Sequence, residues 1–264
     1  MYDVPVYDTV LQAVTETSAD AAVLYVPAGG VRDAVVEAVE AGCKVILATA
    51  ENVPRHDAVH AVAIARNANA WLVGFNTNGL ISPGKCKLGG IGGNNPDAIY
   101  HPGRVGVVSR SGGMSAEISW ALKRGGMGVS TTVSMGGDRT TGRSMREYLD
   151  LFEADPETDA MIVYGEPGSD NEAEVARAIR EGAISKPVVA IVAGAFQEAY
   201  PAGVSFGHVA AMIAGEADTA TAKRRLLSEA GAHVVGSLDE ITPLLKNLVD
   251  RKVPGSLGNV STAW

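Results

Sequence analysis

The sequence predicts a two-domain α/β protein built on parallel sheets, and three observations carry that prediction. Short Val- and Ile-rich runs alternate with amphipathic Ala-, Glu- and Arg-rich segments along the 264 residues, the rhythm of strand–helix–strand units around a parallel sheet. The long Gly-, Pro- and Asn-rich passage 76–103 interrupts that rhythm. Loops beyond about 15 residues are rare inside compact folds, so the domain boundary is expected there. Length and composition agree: 264 residues, 46% hydrophobic and 20% charged, suffice for one large core or two modest ones.

Taken in order, the first domain is expected to hold strands at 23–26, 44–49 and 71–75, each a short apolar run, with helices at 31–41 and 56–67 between them. The second is expected to hold strands at 104–109, 130–134, 160–164, 188–193 and 233–235. Its helices are expected at 114–124, 172–181 and 219–230, the last closed by Gly231 as a C-cap. The tail 252–264, dominated by Pro, Gly, Ser and Asn, reads as flexible. The expected domains are therefore 1–103 with its linker, 104–251, and the tail.

A formal charge of −8 without a Lys/Arg run argues against nucleic acid and anionic membrane as partners. Any polyanionic ligand must then be held by local features. No apolar run approaches about 18 residues and no signal-peptide pattern opens the chain, so a cytoplasmic protein is expected. Cys43 and Cys86 suit a reducing compartment; their spacing does not call for a disulfide, nor does it forbid one.

Three places carry chemistry. His208 lies on a loop of small residues past the apolar strand 188–193, at the edge where open α/β sheets bind ligands; an ordinary solvated loop histidine fits the same description. Ser111-Gly112-Gly113 follows a strand and opens a helix. Helix N-termini offer unpaired N–H groups and partial positive charge, so this is a seat for phosphate or carboxylate, although glycines also serve a tight turn. Glu166, just past another strand, can accept from one ring nitrogen of His208 and leave the other as nucleophile; alternatively it caps the helix beginning near Asn171.

Four stretches decide between these alternatives: Ser109-Arg110-Ser111-Gly112-Gly113-Met114-Ser115, Met135-Gly136-Gly137-Asp138-Arg139, Gly165-Glu166-Pro167-Gly168 and Ser205-Phe206-Gly207-His208. With them, and in their order, the chain resembles the ADP-forming acyl-CoA synthetases, namely the succinyl-CoA synthetase alpha subunit and the matching part of ATP-citrate lyase, from about Val4 to Leu248. The first and last motifs lean toward the citrate-using branch. The resemblance implies a truncated Rossmann-like CoA-binding domain followed by a flavodoxin-like ligase domain. It implies that His208 is the phosphorylated histidine and Glu166 the carboxylate that orients it, with Ser111, Gly112, Gly113 and Gly207 binding phosphate or substrate. For CoA it points to Val26, Pro27, Ala28, Thr49, Glu51 and Asn76. It also implies an ATP-grasp beta-type partner in a hetero-oligomer, holding ATP or GTP with Mg2+, and a small carboxylate as substrate. No metal site is expected on this chain, and no Gly-x-x-x-x-Gly-Lys-Ser/Thr loop occurs in it.

Three departures stand out. The family's opening strand, Gly-rich turn and second strand are expected before the point where Met1 stands, which suggests that another chain supplies that part of the CoA site. Phe75 stands where the family has Pro, and Ala210 where the histidine loop has a second glycine. A non-catalytic subunit that keeps the fold and holds an ATP-grasp partner is the competing reading, as is a related acyl- or carbamoyl-transferring enzyme. His208 argues against both.

Overall fold

The computed structural model describes residues 4–250 apart from Ser205 and Val209, so the expected tail 252–264 lies outside the described residues. A helix α1 (Val10–Thr17) precedes β1 (Ala21–Leu24), α2 (Val31–Glu40), β2 (Val45–Ala48), α3 (Arg55–Asn67) and β3 (Trp71–Val73). These three strands form a parallel sheet in the order β1-β2-β3. The passage expected to be a linker instead carries a hairpin, β4 (Gly79–Ser82) and β5 (Cys86–Gly89). Its strands are only four residues each, short enough to be hidden among glycines and prolines.

The second sheet takes in that hairpin together with β6 (Pro102–Ser109), β7 (Val129–Ser134), β8 (Ala160–Gly165), β9 (Val188–Val192) and β10 (His233–Val234). Its order is β10-β9-β8-β6-β7-β4-β5, parallel from β10 to β7 and antiparallel where β4 joins β7 and β5. Helices α4 (Gly112–Arg124), α5 (Met145–Ala154), α6 (Asn171–Arg180) and α7 (Ala220–Glu229) link successive parallel strands, and α8 (Ile241–Asp250) follows. Read from β6, the five parallel strands run 2-1-3-4-5, the flavodoxin-like order. The helices at α1, α5 and α8 add to those expected.

Period-two side-chain alternation explains the layers. Val107, Ile162 and Val189 face α4 and α8 with Ile118, Leu122, Ile241 and Leu245. Their neighbours Val108, Val163 and Ala190 face α5, α6 and α7. In the first sheet Ile46 and Leu72 turn toward α2 and α3, whereas Leu47 and Val73 join Val133, Met135, Tyr148 and Leu149 of the second unit in one core. Arg66 on α3 grips Glu147 on α5 with two bonds of 3.0 and 2.8 Å. Arg143 donates to the Ala70 carbonyl at 2.9 Å and lies 4.6 Å over the Trp71 ring. Among the described residues no helix is long and apolar enough to cross a membrane.

Candidate active site

The chain runs from β6 to β7 on one side and returns to β8 on the other, so the carboxyl ends of β6 and β8 flank the switch point of the second sheet. Ligand crevices of open α/β sheets form at such points. Glu166 follows β8, Ser111 follows β6, and the segment after β9 brings His208 to the same edge. His208 Nδ1 and Glu166 Oε2 are 2.7 Å apart, with the two side chains 32% and 12% exposed. The Glu166 carboxylate therefore serves His208; α6 has Asp170 at its N-cap. His208, Glu166, Tyr164, Gly194 and Phe206 line a cavity of about 330 Å³. Gly207, at φ 119°, has a conformation that favours glycine, and the space a Cβ would take is open.

Gly137 supplies the other wall. A Cβ there would come 3.0 Å from His208 Cγ and Cδ2, so the ring lies directly against this glycine. Arg110 is buried and donates through Nη2 to the carbonyls of Gly137 and Asp138 at 3.3 and 3.1 Å. Burial pulls its guanidinium down, opposed by the charges of Glu166, Glu172 and Asp138. The hydrogen bond to Glu166 raises the His208 pKa, burial opposes it, the Glu166 charge adds to it, and Arg110 works against it. Tyr164 is pushed up to about 12, chiefly by burial.

At the N-terminus of α4 the Ser111 hydroxyl accepts from Met114 N–H at 3.4 Å, while the Ser111 N–H is taken by Ser109 Oγ at 3.1 Å. The N–H groups of Gly112 and Gly113 have no acceptor inside the helix. Their glycines differ in purpose. A Cβ on Gly113 would meet only Ser111 Oγ, at 3.9 Å, so this backbone is open. A Cβ on Gly112 would meet the Asn78 amide at 2.9 Å, and Asn78 Nδ2 donates to the Gly112 carbonyl at 3.2 Å. Gly112 thus makes room for Asn78, whose Oδ1 is buried with no bonding partner. The hairpin places Asn78 there, since β4 begins at the next residue.

The residues expected to meet CoA lie at the carboxyl edge of the first sheet. Val26, Pro27 and Ala28 fall beyond β1, which ends at Leu24, and lead through a short 3-10 turn into α2. Gly29 and Gly30 leave the space above that turn open, and Tyr25 beside it is 69% exposed. Thr49 donates its hydroxyl proton to the Leu24 carbonyl at 2.9 Å, joining β1 to β2, and Glu51 is exposed. Asn76, left-handed at φ 58°, donates its N–H to the Ala50 carbonyl at 2.9 Å and accepts from Gly137 N–H at 3.2 Å. Asp138 faces the Asn76 side chain and the Asn52 and Val53 backbone; its pKa is raised, mainly by burial. Asn76 and Asp138 thereby tie the two sheet edges together behind His208. The sequence marked Asp138 within a motif but gave it no task, and Asn78 and Lys223 carried no signal in it. Among the described residues no group of three or more His, Cys, Asp or Glu is placed to hold a metal.

Both halves of the chain have counterparts among known proteins. Residues 102–248 match the family model of a succinyl-CoA ligase-like flavodoxin domain, and residues 1–52 that of a CoA binding domain. The chain is 44% identical over 246 residues to subunit alpha 2 of an ADP-forming succinate–CoA ligase from Archaeoglobus fulgidus, covering 93% of this chain and 83% of that one. It is 38% identical over 249 residues to a subunit of an ADP-forming sulfoacetate–CoA ligase from Bilophila wadsworthia, with 93% and 83% covered. Among solved structures, ATP citrate lyase of Methanosaeta concilii in complex with (3S)-citryl-CoA superposes with a TM-score of 0.89 at 29% identity; the match covers 99% of this chain and 45% of that one.

Proposed function

The chain belongs to the alpha-subunit family of ADP-forming CoA ligases, and from that premise we propose that it is the alpha-type subunit of an acid–thiol ligase working through a phosphohistidine at His208. Its substrate is a small carboxylic acid, succinate- or citrate-like, and the phosphoryl donor is ATP or GTP, held with Mg2+ by an ATP-grasp beta-type partner. Free Cys43 and Cys86 suit a reducing, cytoplasmic setting. The observation that carries the reading is the 2.7 Å contact between His208 Nδ1 and Glu166 Oε2 beside the switch point of the sheet.

With Nδ1–H donated to Glu166, the Nε2 lone pair is the nucleophile. It forms the N–P bond as the P–O bond to the nucleoside diphosphate breaks and that oxygen leaves with the electron pair. Glu166 then balances the positive charge of the phosphorylated ring. Transfer onto the substrate carboxylate returns the pair to Nε2 and activates the acyl carbon. Coenzyme A supplies the thiol that displaces phosphate from that carbon. In these transfers the chain contributes position and charge: the Gly112 and Gly113 N–H groups seat an anionic oxygen, and the turn at Val26, Pro27 and Ala28, with Thr49, Glu51 and Asn76, borders the CoA path. Incubation with γ-labelled nucleotide and the partner should give an acid-labile, base-stable label on this chain that disappears in His208→Asn. An undiminished, acid-stable label in that variant would place the phosphoryl group elsewhere and overturn the reading.

A further inference from the structure

One deeply buried ion pair takes no part in the chemistry above. Lys223 on α7 and Glu172 in the first turn of α6 are 4% and 1% exposed at their side chains, with Nζ and Oε2 2.6 Å apart. Burying two charges costs much of what their attraction returns, and apolar residues of like volume often serve stability as well. Here the remaining bonding capacity of the pair is directed at one loop. Besides Glu172, the three N–H groups of Lys223 Nζ are shared among the carbonyls of Glu166 at 2.7 Å, of Ser169 at 2.9 Å, and of Gly168. Glu172 Oε1 accepts the Glu166 N–H at 3.1 Å. Both backbone polar groups of Glu166 therefore end on this pair.

Two glycines are shaped around the arrangement. A Cβ on Gly165 would lie 2.1 Å from Glu172 Oε1, so only glycine admits the carboxylate there. Gly168, left-handed at φ 72°, leaves room for the Ala210 and Met212 carbonyls, which would lie 2.2 and 2.8 Å from a Cβ. The loop held by the ion pair is thus also the surface on which the chain leaving His208 rests.

We propose that Lys223 and Glu172 are positioning residues: their ion pair clamps the 165–169 loop so that the Glu166 carboxylate meets His208 Nδ1. The consequence for rate rests on the phosphohistidine reading; the geometric claim does not. Glu172→Asp is the decisive variant, because it keeps both charges and withdraws the oxygen from the Glu166 N–H by one methylene. The variant leaves the charged groups that His208 feels directly, Glu166, Arg110 and Asp138, unsubstituted. NMR titration of labelled histidine in the full chain should show the His208 midpoint of Glu172→Asp falling toward that of Glu166→Gln, with no further fall when the two are combined. Phosphorylation by the partner and nucleotide should slow about 10- to 100-fold, the scale on which misplacement of reacting groups acts. The apolar double variant Lys223→Met with Glu172→Leu should fold and show the same titration shift. A folded Glu172→Asp protein with the wild-type midpoint and labelling rate overturns the proposal. If the wild-type chain takes no label, the phosphohistidine reading fails while the titration still decides the clamp.

Discussion

At His208 two opposing effects set the protonation of the ring. The bond to Glu166 favours the charged form and burial disfavours it, with the balance lying above the ordinary value of 6.5. Because the folded-state pKa is raised, the pair stabilises the fold fully below the unfolded value and loses that contribution as pH rises through the folded value. Glu166→Gln should therefore lower the melting temperature at pH 6 and leave it nearly unchanged at pH 9, as thermal scans at the two values will show. The rate of labelling should climb with pH through the His208 midpoint, since attack needs the Nε2 lone pair, and in Glu166→Gln the climb should begin lower and reach a lower plateau. Gly137→Ala should also slow labelling, because the new methyl would press on the ring from 3.0 Å. Placement past strand ends and among glycines marked His208, Glu166 and Ser111 as candidates, each with a plainer alternative, and the resemblance to the acyl-CoA synthetases selected them. Lys223 carried no such mark: within Ala-Thr-Ala-Lys223-Arg-Arg it looks like any solvated helix lysine, and only the packing of α7 on the 165–169 loop buries it.

Among the elements, α5 shows how a local signal anchors a distant contact. Ser144 accepts from Glu147 N–H at 3.4 Å and Glu147 Oε2 accepts from Ser144 N–H at 2.8 Å, a capping box that also holds Glu147 where Arg66 and Arg143 reach it. Ser144→Ala should cost about 1 kcal/mol, the usual scale for losing such a cap, measurable by urea titration. The Ser-x-x-Glu spacing is a signature that sequence alone displays. The β4–β5 hairpin has no such signature, because Gly79 and Gly89 sit at its ends in left-handed conformations and mask its strand character. That hairpin also sets the expected result of Gly112→Val: the larger side chain would displace Asn78 from the end of α4, so stability in urea titration should fall along with anion binding.

For the whole molecule, the shared core between the sheets outweighs the division visible in the sequence. Leu47 belongs to the first sheet yet is buried among second-unit side chains, and Leu47→Ala should destabilise the protein by about 2–5 kcal/mol. Calorimetry should give a single transition in both wild type and variant, shifted as one; two separated peaks would mean that the halves melt independently. The same weld, reinforced by the Arg66–Glu147 grip and the Asn76–Gly137 bond, bears on the proposed catalytic cycle. Two sheets that share one core hold both strand edges in a single frame. On the phosphohistidine reading, the Glu166 carboxylate beyond β8 and the turns beyond β1 and β2 then keep one register, so a group handed from one strand edge to the other meets stations already aligned.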